Sequence, residues 1–522
     1  KSVVLVGFQD QGNLGLGYLA SVLFEHDLTC EIIDINQEHE AILDCVLARK
    51  PIVIGFSLIF QYYLQKFSAL AEYFQSKGVN CHMTIGGHYP SLSYEQVLHQ
   101  IPQLDSVVMF EGEHTLLELV QNLANHKDWR KTPGIAYKNG YRTVLNPLRA
   151  LVPDLDSLPF PYRPSFTSET LGKKIQPILA TRGCPRNCSF CSIREFYGRA
   201  PGKSVRRRSP ANVVAEMKEL YAENNVSIFL FQDDDFPVAG NAGRRWVTSF
   251  TEEIEHNGLH GKIAWKISCR VDEINAGLFK RMKDAGLYLV YLGIESGTEE
   301  GLRTLNKQVS VRDIQQAVAE LNRLGLMFAY GFMLFDPGST FDSVRANIRF
   351  LKQIVRDGRT PIAFCKMLPY AGTPIADTLA SAGRLRGTVA QPDYNFLDSR
   401  LDEYYEKLNT ALNAWVYGND AVARYLSLTW HEVAIIKQLF PPMQGIEEYE
   451  SDLRSLTRKS NERILSAVES SASMFERQHE FPLRTETMEA EAHAINKSTL
   501  ERRNAFVFRN QERLLASLTQ PS

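Results

Sequence analysis

The chain has little cysteine, eight residues in 522, too few to staple a disulfide scaffold. It has no apolar run of the roughly 18–20 residues that a membrane-crossing helix needs. Its start, KSVVLVGFQDQG, is a short strand and a turn rather than a leader with an apolar stretch. The missing initiator Met reads as a trimmed chain. No excess of one charge is present: 58 Lys and Arg stand against 60 Asp and Glu. That balance gives no electrostatic ground for a polyanion, so no nucleic-acid partner is expected. What remains is 44% hydrophobic and 23% charged, the balance of a folded soluble protein, and a cytoplasmic location is expected. The length exceeds one ordinary core, so two or three domains are expected.

The front of the chain alternates short apolar runs with helical stretches. VVLVGF (3–8), CEIIDI (30–35), IVIGFS (52–57), CHMTIGG (81–87) and SVVMFEGE (106–113) read as strands. Runs of this kind between helices predict an α/β domain over residues 1–130, a Rossmann-like doubly wound parallel sheet that takes ligands at its strands' carboxyl ends. Residues 131–170 change character. GIAYKNGYRTV looks like a hairpin, and VPDLDSLPFPYRPSF is a Pro-rich connector, so this segment is a linker. Six further strand–helix units over 171–390 predict a partial (β/α)6 barrel with its chemistry on the carboxyl-end loops. Residues 391–522 are helical, with Leu401, Tyr404, Leu408, Leu412 and Trp415 on one face. Tyr404, Tyr405, Trp415, Tyr417 and Trp430 read as core at that spacing, with the lining of an aromatic or lipid pocket as the alternative.

Five cysteines, at 30, 45, 81, 269 and 365, are scattered singly and read as small buried hydrophobes. The other three crowd into GCPRNCSFC (183–191): Cys184, Cys188 and Cys191, spaced C-x3-C-x2-C. A structural zinc site takes four ligands, commonly from paired C-x2-C knuckles. There is no second pair, and His256 and His260 are remote in sequence. Three thiolates suit a four-iron cluster that keeps one iron open for another ligand. Zinc with a distant fourth ligand is the alternative. The run Arg206-Arg207-Arg208 precedes a helix capped by Ser209 and started by Pro210. It reads as solvated charge at a helix entry, or else as a contact for a cofactor's phosphate or amide groups or for an acidic substrate.

C-x3-C-x2-C with aromatic Phe190 before the last cysteine, placed after a barrel's first strand, resembles the radical S-adenosylmethionine superfamily. The resemblance implies a [4Fe-4S] cluster on Cys184, Cys188 and Cys191, whose open iron chelates S-adenosylmethionine. One electron then cleaves it to a 5′-deoxyadenosyl radical. It also implies S-adenosylmethionine contacts from Phe190, from Asp233 and Asp234 in FQDDDF, from Ser268 and Arg270 in KISCRVD, and from Glu295 in YLGIESG. Phe335 and the LPYAGTP segment, through Pro369 and Tyr370, are expected to face substrate.

NLGLGYLAS (13–21), GFSLIF (55–60), IGGHYPS (85–91) and FEGEHTLLEL (110–119) resemble the cobalamin domain of cobalamin-dependent radical S-adenosylmethionine enzymes. Cobalamin contacts are therefore expected from Asn13, Gly15, Gly17, Ser57, Leu58, Ile59, Phe60, Gly86, Gly87, His88, Glu111, Gly112 and Glu113. The sequence lacks D-x-H-x-x-G, whose His ligates cobalt from below. His88 is thus expected as a loop contact, with Leu58-Ile59-Phe60 against the cofactor's lower face. A dinucleotide site is the rival. Asp34 ends the second strand, but GNLGLG does not have the G-x-G-x-x-G order.

The resemblance implies a methylase for an unactivated carbon, or for phosphorus, working through methylcobalamin and a 5′-deoxyadenosyl radical. Its alternative is a non-methylating oxidative cyclase or ring-rearranging enzyme of the same family. A sensor without turnover fits poorly with a complete cysteine triad. A methylthiotransferase would need three further clustered cysteines. The expected partners are a small-molecule substrate and an external electron donor of flavodoxin or ferredoxin type. The two cofactors are expected to face one cavity, capped by the C-terminal helices.

Overall fold

The structure, a computed structural model, describes residues 1–9, 12–164 and 168–519. Positions 10–11 of the first turn and 165–167 of the Pro-rich connector lie outside the described residues. Two compact units make up the chain. The first comprises Lys1–Ser168, Gln176–Glu216 and Leu368–Asp393; the second comprises Glu169–Ile175, Met217–Met367 and Tyr394–Ser522. The cysteine segment therefore shares its unit with the front sheet.

In the first unit, β1 (Ser2–Gly7), α1 (Leu14–Phe24), β2 (Thr29–Asp34), α2 (His39–Arg49), β3 (Val53–Ser57) and α3 (Leu64–Ser76) alternate as expected. They continue through β4 (His82–Gly86), α4 (His88–Leu92), α5 (Tyr94–Gln100), β5 (Ser106–Val108) and α6 (Glu113–Ala124). A hairpin of β6 (Ile135–Asn139) and β7 (Arg142–Leu145) closes the sheet edge. The order is β2-β1-β3-β4-β5-β6-β7, parallel up to β5 and antiparallel beyond it. Side chains alternate across the pleat. Val4 and Val6 enter one core with Phe56, Phe67 and Phe74. Val3 and Leu5 enter the opposite core with Leu16, Leu116 and Val120. Both faces are thus covered, which is why the strands read as continuous apolar runs. The strand order reverses between β1 and β3, and the crevice beyond their carboxyl ends is where such sheets bind ligands.

The linker is clipped to α1. The Ser21 hydroxyl donates to the Phe160 carbonyl at 2.7 Å and accepts from the Tyr162 amide at 2.8 Å. Gly17 is needed for this close approach, since a Cβ there would stand 2.6 Å from the Tyr162 oxygen.

The next elements are β8 (Ser168–Thr170), β9 (Lys173–Ile178), β10 (Thr181–Arg182), α7 (Ser192–Arg199), β11 (Arg206–Arg207) and α8 (Pro210–Asn224). The barrel follows with β12 (Val226–Phe231), α9 (Gly240–His256), β13 (Ala264–Cys269), α10 (Ala276–Asp284), β14 (Leu287–Glu295) and α11 (Glu299–Thr304). It ends with α12 (Val311–Leu324), β15 (Met327–Phe335), α13 (Phe341–Ile354) and β16 (Cys365–Lys366). Strands β12 to β16 pair in parallel, in the sheet order β16-β15-β14-β13-β12-β9-β8. This is an open half-barrel. After α14 (Pro374–Ser381) and the pair β17 (Leu385–Gly387) and β18 (Pro392–Tyr394), the chain is helical: α15 (Ser399–Ala411), α16 (Val422–Leu439), α17 (Ile446–Gln478), α18 (Thr485–Arg509) and α19 (Gln511–Thr519). None of the described helices is long and apolar enough to cross a membrane.

Neighbours in β13 show how the half-barrel is filled. Trp265 packs on Phe250 of α9 at 5.4 Å. Ala264, pointing the other way, joins Leu289 in a cluster with Trp430, Val433 and Ile436 of α16. The C-terminal helices therefore cover the face of the sheet that α9 does not. Tyr404, Trp415 and Trp430 are core, as their spacing predicts.

Gly17→Ala is expected to lower stability by about 1–3 kcal/mol, because the linker backbone cannot yield to a methyl group. Gly198→Ala, in a helix with nothing within 4 Å of the new Cβ, is expected to be neutral or to stabilise by about 0.5–1 kcal/mol. Urea-unfolding midpoints of the two variants check both signs.

Candidate active site

The cysteine loop leaves β10 through Gly183, whose φ of 85° places its α-hydrogen against the Ser204 carbonyl. The Cys191 amide closes a turn on the Cys188 carbonyl at 3.3 Å, and Cys191 then caps α7 with an extended φ of −97°. None of the three cysteines forms a disulfide, and all three are half-buried. Among the described residues, no three His, Cys, Asp or Glu side chains are gathered to grip one metal ion. A four-iron cluster makes a different demand, since each thiolate binds a different iron. Three thiolates on one loop are the donor set for it, with one iron left open.

The elements flanking this loop are tied to the front sheet. Arg182 donates to Glu111 at 3.0 Å and to Glu113 at 2.7 Å. Arg206 donates to the second Glu111 oxygen at 2.8 Å and to the Val152 carbonyl at 2.8 Å. Burial pushes the Glu111 carboxyl up, but Arg206 and Arg182 outweigh it and hold it below its ordinary range. The carboxylates of Glu111 and Glu113, expected beside cobalamin, are thus engaged by arginines. The reading of Arg206–Arg208 as solvated charge fails at two positions. Arg206 and Arg208 are buried, Arg208 on Glu216 at 2.5 Å; only Arg207 is exposed. A buried charge persists only when paired, and no run of arginines read in isolation reveals its partners.

The carboxyl ends of β1 and β3 carry an unusual surface. Leu58 is buried, but Ile59 is 43% and Phe60 40% exposed, with Tyr62 and Tyr63 also exposed. Phe8 and Tyr63 rings lie 4.2 Å apart, and Phe60 and Tyr62 stack at 5.4 Å. Large apolar groups left facing water at a topological switch point mark a ligand seat. Of the three residues that the resemblance sets against a corrin face, Ile59 and Phe60 are exposed and Leu58 is not. Gly15 is open apart from the Asn13 side chain. Asn13 itself is spent on capping α1, accepting from the Leu16 amide at 3.0 Å. Gly87, at φ 112°, lets β4 approach the β3 loop, where a Cβ would sit 2.3 Å from the Leu58 oxygen. Ser57 and Gly86 are half-buried strand ends, and Gly112 precedes α6. The His88 ring packs on Phe196 at 4.2 Å, and burial lowers its pKa to about 4.

Gln61, which sequence reasoning passed over, pins two segments beside the ledge. Its amide donates to the Val389 carbonyl at 2.8 Å and accepts from the Ala371 amide at 2.6 Å. Tyr370 thereby packs on Phe60 at 5.8 Å. A cavity of about 550 Å³ opens here, lined by Tyr62, Leu368, Ala390, Pro392 and the Arg386–Asp393 ion pair. Pro369 is buried, and its neighbour Leu368 lines the cavity instead. The three aromatics of the FQYY stretch, too many for a solvated turn, were the available signal.

In the second unit, Asp233 is buried and Asp234 exposed, while Ser268 is half-buried with its carbonyl taking the Phe236 amide at 3.0 Å. Glu295 sits at φ 65°, a strained conformation of the kind kept at functional positions. Lys307 donates to it at 3.0 Å. Beneath it Gly293 and Gly331 are register partners on adjacent strands, and a Cβ on either would crowd the Glu295 oxygens at 2.8 or 3.2 Å. Arg270 serves the fold: it donates to Asp272 at 2.9 Å and to the Lys307 carbonyl at 2.8 Å. Phe335 requires a correction. It is 0% exposed, packed on Tyr405 at 5.2 Å and Phe396 at 6.0 Å, so it does not face an open site.

Glu295→Gln is expected to weaken S-adenosylmethionine binding by about 10–100-fold, the loss of a charge-assisted hydrogen bond of about 1.5–3 kcal/mol. Arg270→Gln is expected to lower the melting temperature more than the affinity. Calorimetric titration and thermal unfolding of both variants separate the two roles.

Residues 178–351 match the radical SAM superfamily, and residues 1–120 match the B12 binding domain. A protein of Pyrococcus horikoshii described as an uncharacterized methyltransferase is 29% identical over 392 residues, covering 74% of this chain and 82% of its own length. The anaerobic magnesium-protoporphyrin IX monomethyl ester cyclase of Cereibacter sphaeroides is 27% identical over 281 residues, 52% of this chain and 44% of that protein, so the chain spans less than half of it. Among solved structures, the cobalamin-dependent S-adenosylmethionine radical enzyme OxsB, with aqua-cobalamin and S-adenosylmethionine bound, shares the fold over 99% of this chain and 83% of its own. The TM-score is 0.66 at 16% identity. With a B12 binding domain joined to a radical SAM domain that carries three thiols on one loop, the chain belongs to the cobalamin-dependent radical S-adenosylmethionine enzymes, with a [4Fe-4S] cluster, cobalamin and S-adenosylmethionine as cofactors.

Proposed function

We propose that the enzyme is a methyltransferase that places a methyl group on an unactivated carbon, or on phosphorus, of a small molecule. The observation that carries this reading is the reach of the similarity. It extends over 74% of the chain for the relative named as a methyltransferase, against 52% for the cyclase. When bound, the cluster supplies the electron that cleaves S-adenosylmethionine, and cobalamin supplies the methyl group.

The chain's own residues have separable tasks in this reading. Cys184, Cys188 and Cys191 hold the cluster and leave one iron for S-adenosylmethionine. Glu295, fixed by Lys307, offers its carboxylate to that ligand, with Asp233 and Ser268 at neighbouring strand ends. Ile59 and Phe60 form an apolar seat under the corrin and offer no donor atom to cobalt. The imidazole of His88 packs on Phe196, which supports its role as a packing residue. Tyr62 and Leu368 open onto the 550 Å³ cavity, a volume in the range of small-molecule sites. Its lining pairs the apolar Tyr62, Leu368, Ala390 and Pro392 with the Arg386–Asp393 ion pair, so it offers both apolar and charged contacts to a ligand. Oxidative cyclisation without methyl transfer is the second reading, favoured by the similarity to the cyclase.

The test is product analysis of the reconstituted, reduced protein given S-adenosylmethionine labelled in its methyl group. Methyl transfer predicts S-adenosylhomocysteine, with the label recovered on the cobalamin. 5′-Deoxyadenosine as the sole product, with no S-adenosylhomocysteine at any time, would contradict it and favour the cyclase reading.

A further inference from the structure

Two cofactors must work together in this enzyme, and the stem of the cluster loop carries an arrangement that no single cofactor site needs. Arg182 and Arg206 are register partners in the antiparallel pair β10–β11, the ribbon that brackets residues 183–205. Like charges directly opposite in a ladder repel. The ribbon closes because Glu111 bridges it, taking Arg182 on one oxygen and Arg206 on the other. Glu113 takes the second arm of Arg182. The four side chains are all at least nine-tenths buried and sum to zero charge.

Glu111 lies in the loop that leaves β5 of the cobalamin sheet, and Glu113 opens α6 just after it. Phe110, just before Glu111, is held at φ 58°, a conformation costly for a bulky residue. That strain turns the chain so that Glu111 points at the ribbon. Tyr18 of α1 covers the Arg182 guanidinium at 4.8 Å, and Tyr197 covers that of Arg206 at 5.5 Å. The far side of the loop is anchored on the same sheet. Phe196, five residues beyond Cys191, packs on His88 at 4.2 Å and on Phe110 at 5.4 Å.

A buried ion-pair cluster is a poor way to gain stability alone, because apolar groups of similar volume do as well or better. What it does well is specify one register. We propose that Arg182 and Arg206, clamped by Glu111 and Glu113, are positioning residues that hold the cluster loop and the cobalamin sheet as one body, so that the protein sets the cluster-to-cobalt spacing before S-adenosylmethionine or substrate binds. The inference rests on the cofactor pair and not on methyl transfer, so it stands under either reading of the reaction.

The test uses the holoenzyme reduced so that cluster and cobalt both carry an unpaired electron, and pulsed electron paramagnetic resonance reads the distance between them. The wild type is expected to give one narrow distance that S-adenosylmethionine leaves unchanged. A broad distribution that narrows only on adding S-adenosylmethionine would overturn the proposal, and this measurement needs no variant. Glu111→Gln, compared at equal iron, sulfide and cobalamin content, is expected to lose the narrow distance, and Arg206→Lys to keep part of it. A clamp that served stability alone would lower the melting temperature while leaving the distance in the loaded protein as in the wild type, and that result too would overturn it.

Discussion

One carboxylate, that of Glu111, stands between two arginines that would otherwise repel each other across a two-stranded ribbon. Much of the first unit depends on this interaction. Without it, Arg182 would be left to Glu113 and Arg206 to the Val152 carbonyl, and the ribbon would lose the carboxylate that bridges its two strands. With it, a neutral, fully buried cluster fixes the base of the three-cysteine loop. Phe196 and Tyr197 then extend the same packing into the core under β4 and β5. The cysteine segment therefore folds as an extension of the cobalamin sheet, although in sequence it opens the barrel.

A second constraint is set by topology. A parallel sheet covered on both faces leaves its ligand edge at the carboxyl ends, and the order reversal between β1 and β3 opens a crevice there. This chain fills the crevice's rim with the exposed Ile59, Phe60, Tyr62 and Tyr63, and the glycines after β1 do not have the dinucleotide order. Exposing those groups costs free energy in the absence of a partner, and covering them with a corrin recovers it. Gln61 links this rim to the segments around residues 371 and 389, so the cofactor seat and the neighbouring cavity share a wall. In the second unit, Glu295 is held in a strained conformation beside the paired Gly293 and Gly331, while α16 fills the face of the half-barrel left by α9.

The layered architecture was legible because it rests on local periodicity. Strand positions in the front sheet and the half-barrel follow apolar runs that period and length specify. The three cysteines stood out because three thiols within eight residues is the spacing of a metal or cluster loop. Pairwise contacts distant in sequence were not. Glu111 and Glu113 stand at a ligand edge, and only the fold shows that Arg182 and Arg206, 71 and 95 residues after Glu111, take their oxygens. Arg270 had the right strand end for a ligand contact, yet Asp272 and the Lys307 carbonyl hold its guanidinium. Phe335 likewise ends a strand, but aromatic neighbours from α15 bury it. Position along a strand tells where a side chain starts; what it meets depends on segments that sequence patterns do not bring together.

The central claim is that the cluster loop and the cobalamin edge belong to one unit, with iron on Cys184, Cys188 and Cys191 and cobalt above the Ile59–Phe60 ledge. Crystals of the anaerobically reconstituted enzyme, with anomalous diffraction recorded at the iron and cobalt edges, test it most directly. The account predicts iron peaks at the three sulfurs and a cobalt peak over the carboxyl ends of β1 and β3, with no imidazole bound to it. Cobalt ligated by His88, or lying away from that ledge, would contradict it.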